Sequence, residues 1–131
     1  MKQSNPDLTL ISDNRNMITR KYQKIRRTPT FISAYAELRS YLKKSSPMAF
    51  MALPQGMTTV LDVIDNHPRG WPIRRKKLSD VDIEFHLAIV SISYRRLHVR
   101  YCVDDNDCSH LLAVWVDGHD EPSYVIDSLN H

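Results

Sequence analysis

Glycine is scarce in this sequence. Three glycines in 131 residues leave no glycine-rich loop of the kind that cradles phosphates. Cysteine is nearly as rare. Cys102 and Cys108 are the only two, too few for a disulfide framework. The opening Met1-Lys2-Gln3-Ser4-Asn5-Pro6 is not followed by a hydrophobic signal core, so reduced thiols and a cytoplasmic location are expected. No apolar run approaches the roughly 18–20 residues of a membrane span. Basic residues are missing from one end, since all 18 Lys and Arg lie at or before Arg100. Set against 8 acids they give residues 1–103 a charge of +10, while residues 104–131 hold 7 acids and no base, −7. Such asymmetry can mark a surface for an acidic partner, or an acidic tail that packs near the basic part and neutralises it.

What is present fits one soluble domain. At 42% hydrophobic and 25% charged residues, the chain can bury a core without staples. Residues 1–27 read as a basic, partly flexible segment, in which Ile18, Tyr22 and Ile25 have the spacing of a short helix. Residues 28–131 read as a single α+β domain. Thr28-Pro29 opens its first helix, with a capping hydroxyl followed by proline in the first turn. Phe31, Tyr35, Leu38 and Leu42 form its apolar stripe, and Ser45-Ser46-Pro47 ends it. Residues 48–53 read as an apolar bridge, residues 56–66 as a second helix, and Arg74-Arg75-Lys76-Lys77 as an exposed loop.

From Asp82 onward the period changes from about 3.6 to 2. Ile83, Phe85, Leu87 and Ile89 alternate with polar or small residues, as do Leu97, Val99, Tyr101 and Val103. Residues 111–116 are continuously apolar, as in a strand covered on both faces. A turn at residues 118–122 and a short strand at 123–127 follow. The expected architecture is N-terminal helices packed on a C-terminal three- to four-stranded antiparallel β-meander.

One segment suggests chemistry. In His110-Leu111-Leu112-Ala113-Val114-Trp115-Val116-Asp117 and Ser123-Tyr124-Val125-Ile126-Asp127-Ser128-Leu129, a His starts a buried strand and an Asp ends the next. With the hairpin turning near Gly118-His119, His110 and Asp127 face one another across the ladder. A carboxylate there fixes the imidazole tautomer and supports its protonated form, which a general base needs. His–Asp is two-thirds of a nucleophilic triad. The stretch resembles the His–Asp segment of papain-like cysteine peptidases, above all the bacterial transglutaminase-like family, and also the ubiquitin-like-protein proteases. The resemblance implies His110 as base and Asp127 as its orienter. It also implies a Cys near Gln55-Gly56-Met57, at the start of a helix, and no Cys stands there. The ubiquitin-like-protein proteases carry theirs well downstream of the Asp.

Cys102-Val103-Asp104-Asp105-Asn106-Asp107-Cys108-Ser109-His110 gathers metal-capable side chains. Its Cys spacing is wider than the usual zinc pair, and it lacks the Gly turn and terminal Glu of a calcium loop. A polar hairpin loop is expected, with no metal and no cofactor. The leading expectation is a degenerate or partial transglutaminase-like domain keeping His110 and Asp127, acting as a binding or regulatory module for a protein or peptide. The alternative is a small basic module that binds nucleic acid or an acidic protein through Arg74, Arg75, Lys76, Lys77, Arg95, Arg96 and Arg100.

Overall fold

A computed structural model describes residues 22–78 and 80–119. The elements run β1 (Ile25–Arg27), α1 (Pro29–Ser45), α2 (Pro47–Asn66), β2 (Ile73–Leu78), β3 (Val81–Ile92), β4 (Arg95–Val103) and β5 (Ser109–Val116). They form an α+β fold whose five strands lie in the order β1-β5-β4-β3-β2. β2 to β5 make the expected antiparallel meander. β1 is added alongside β5 in parallel.

α1 starts where Thr28 and Pro29 predict. The Thr28 hydroxyl accepts from the Phe31 amide and donates to Leu111 O at 2.7 Å, tying the helix start to β5. α1 buries Phe31, Ala34, Leu38 and Leu42.

Three expectations need correction. The second helix is not confined to residues 56–66, and residues 48–53 are not a bridge, because α2 begins at Pro47 and runs through Pro54. Ala49, Leu53, Gly56, Val60 and Ile64 are all buried along it, a face continuous enough to outweigh the helix-breaking tendency of one proline. The basic run at residues 74–77 is not a loop but lies within β2. Residues 25–27 form strand rather than helix, since pairing with β5 overrides a weak local period. Ile18 and the expected strand at residues 123–127 lie outside the described residues.

Both helices pack on one face of the sheet, against Ala88, Ile92, Leu97, Val99, Tyr101, Leu111, Val114 and Val116. A second, smaller cluster of Leu112, Ala113 and Trp115, with Leu87 and Cys102, occupies the opposite face. A bulge joins the two patterns. Arg100 faces Ala113 while Tyr101 faces Leu111, so Leu112 is an extra residue and turns to the same face as Ala113. No described helix is long and apolar enough to cross a membrane.

Candidate functional site

Two regions carry the candidate residues. The first is the end of the β4–β5 hairpin, where Cys102 stands directly opposite His110. One step further out the Asp104 amide donates to Cys108 O. Opposed residues share a face and alternate residues return to it. Cys102, His110, Asp104 and Cys108 therefore occupy the corners of one small square. One diagonal of that square is bonded, with His110 Nε2 donating to Asp104 Oδ2 at 2.9 Å.

Asp104 also shapes the turn. Its Oδ1 accepts the backbone amides of Asn106 at 2.9 Å and Cys108 at 3.0 Å. The imidazole first, then the Cys108 amide, hold its carboxyl below the usual carboxylate range. Arg69, from the segment after α2, pairs with Asp107 and donates to Asp104 O, pinning the loop from outside.

The thiol at the third corner is not activated. Burial, and then the Asp104 charge, push the Cys102 pKa up, the opposite of what a thiolate nucleophile needs. A cavity of about 240 Å³ opens beside Cys102, lined in part by Arg69, Glu84 and His86. His110 is not in its wall. His86 is held against Trp71 O at 2.6 Å and stacks on Tyr101 at 5.2 Å. Burial pushes the Tyr101 phenol up to about 12. Among the described residues no three His, Cys, Asp or Glu side chains converge as metal ligands do. Asp127, the orienter expected for His110, lies outside the described residues. Gly56 is in mid-helix, buried against Ile92 and Leu97, so no helix starts where the resemblance places its nucleophile.

The second region is the set of cations. The register divides them between the two faces of the sheet. Arg74 faces Phe85 and Lys76 faces Ile83, away from the helices. Arg75 and Lys77 face Glu84 and Asp82 on the helix side, and Arg75 Nε donates to Glu84 at 2.8 Å. Arg95 turns to the helices and lies over the Tyr41 ring. Arg96 faces away and donates to Asp117 at 2.7 Å. Arg100 is buried, with its guanidinium between the rings of Phe85 at 4.4 Å and Trp115 at 5.1 Å.

Sequence reasoning missed Asp104 as a partner of His110. It also missed a second imidazole–carboxylate pair, His98 Nε2 to Asp117 Oδ1 at 2.8 Å, with His98 stacked on Trp115. The Asp117 amide donates to Arg96 O. The signal was present, because Arg96 and His98 share a strand face that the β4–β5 register brings to Asp117.

Comparison of the chain with family models, with curated proteins and with solved structures found no match.

Proposed function

We propose that this chain is a non-enzymatic binding module that takes an acidic, extended protein segment as an added strand along β2. The observation that carries the reading is the alternation of four cations on a sheet edge. Among the described residues β2 pairs with β3 alone, which makes it an edge strand, the position at which a further strand can add. An added strand sends alternate side chains to the two faces. Carboxylates on one side would meet Arg74 and Lys76, and those on the other Arg75 and Lys77, as cross-strand pairs.

A nucleic-acid backbone draws on cations gathered on one surface. Here they are split, Arg95 is turned to Tyr41, and Arg100 is buried. A cationic edge also repels a second copy of itself while admitting an acidic strand, so the same residues give affinity and exclusion. The test is fluorescence anisotropy with a labelled peptide of alternating Glu and Val, its N-methylated counterpart, and a single-stranded oligonucleotide. The plain peptide should bind in a salt-sensitive way. N-methylation should abolish that binding, and Arg74→Glu with Lys77→Glu should weaken it about tenfold or more. Tighter binding of the oligonucleotide, or indifference to N-methylation, overturns the reading.

A second reading, the degenerate transglutaminase-like domain, is supported by one feature: an imidazole at the start of a buried strand, held by a carboxylate and facing a thiol. It carries less weight, because that thiol is held protonated. On this reading the old cleft binds a protein or peptide without turning it over.

A further inference from the structure

A cavity at the start of α1 stands apart from both regions. It encloses about 300 Å³, at the lower end of small-molecule sites, and is lined by Arg27, Phe31, Ile32, Tyr35 and Met57. Phe31 and Met57 are buried and form an apolar floor. Tyr35 stacks on Phe31, with ring centroids 6.3 Å apart and an interplanar angle of 18°. Ile32 sits at the mouth with 56% of its surface exposed, a large apolar side chain left in water beside an apolar hollow.

The cation in the wall is the unexpected part. Ile25 packs into the helix-side core, and Arg27, two residues on in the same strand, returns to that face. There it meets apolar surface, and no carboxylate of a described residue pairs with it. α1 carries no acidic residue in its first turn. Arg39, one turn beyond Tyr35, adds a second positive charge. Burial raises the Tyr35 pKa, and the fields of Arg39 and then Arg27 act on the hydroxyl in the opposite direction. The hollow is apolar at its base and electropositive at its rim.

We infer that this cavity is a binding site for a small amphipathic carboxylate, its apolar body against Phe31, Ile32 and Met57 and its head on the Arg27 guanidinium. A guanidinium grips a carboxylate through two parallel N–H···O bonds, and the apolar floor supplies the burial that a free inorganic anion cannot use. The inference is independent of strand addition at β2, which involves none of these residues.

The test is a backbone-amide NMR titration of the full chain with phenylbutyrate, and with phenylbutanol as a neutral probe of the same shape. Phenylbutyrate should shift Phe31, Tyr35 and Met57 and bind about tenfold or more tightly than the alcohol, the increment of one charge-assisted hydrogen bond. Arg27→Gln, at an exposed position that leaves the core intact, should erase that preference while alcohol binding persists. Ile32→Trp should block both probes by filling the mouth. Equal affinity for acid and alcohol, a preference that survives Arg27→Gln, or no shift at these residues at millimolar probe overturns the inference.

Discussion

The Asp104 carboxylate serves the β4–β5 end twice, with one oxygen for the turn and the other for His110. A carboxyl whose folded pKa is depressed adds stability that is fully present above its unfolded value, near 4, and is lost as pH falls through the folded value. Asp104→Asn keeps an oxygen for the turn amides but has no charge to titrate. Its unfolding midpoint, followed by circular dichroism, should therefore fall less steeply with acid below about pH 4 than that of the parent. The same variant removes the charge that helps hold the Cys102 thiol protonated, so alkylation of Cys102 at mildly alkaline pH should become faster. An unchanged acid limb together with unchanged alkylation would remove Asp104 from its role. The sequence displayed this residue only as one of several turn-forming acids at 104–107. Alternation predicts only facing positions, whereas a bond across a square's diagonal depends on where the hairpin turns. Arg100 shows the same limit. Alternation assigns its face, but its burial between Phe85 and Trp115 follows from neighbours brought together across three strands.

Among the elements, α2 shows how local punctuation misleads. The sequence opens the second helix at residue 56, after an apolar bridge at residues 48–53, yet Pro54 and Gly56 both lie inside a 20-residue helix. Gly56 is there for closeness: a Cβ built on it would clash with Ile92 Cγ2. Helix propensity alone favours Gly56→Ala by about 1 kcal/mol, while overpacking a buried contact costs about 1–3 kcal/mol. Ile92 is itself buried in the core and its β-branched side chain is stiff at χ1, so the second effect should prevail. Urea unfolding of Gly56→Ala should show a lower midpoint with an unchanged slope. A higher midpoint would mean that α2 and β3 do not approach this closely. α1, by contrast, was legible at both ends, because its capping threonine, prolines and four-residue stripe are local signals that agree. β3 to β5 were legible for the same reason. β2 was not, since four successive cations hide a period of two that only the register with β3 reveals.

For the whole molecule, the decisive pairing is the least local one. β1 is three residues long, too short to show any period, and its partner β5 lies at the other end of the described chain. The ladder continues into α1 through Thr28, whose amide and hydroxyl both donate to Leu111 O, and through Thr30, whose hydroxyl donates to Leu112 O. This closure matters because of what β5 is. Its residues from Leu111 to Val116 are buried without exception, so its β1 side has none of the charges that normally blunt a strand edge. A chain shortened to begin at Thr28 would free the backbone groups at the start of that strand, from Ser109 to Leu111, and so extend an edge that offers a template for pairing with a second copy. It should unfold less cooperatively and form concentration-dependent oligomers by light scattering, whereas the parent should not associate through this edge. Arg26→Pro is the milder version, because proline cannot donate to the ladder. It should show the same tendency at higher concentration while leaving the cations of β2 untouched. If the shortened chain stays monomeric and cooperative, β1 is an accessory to the sheet, and the burial of β5 would have to be secured by the helix side and the Leu112–Trp115 face alone.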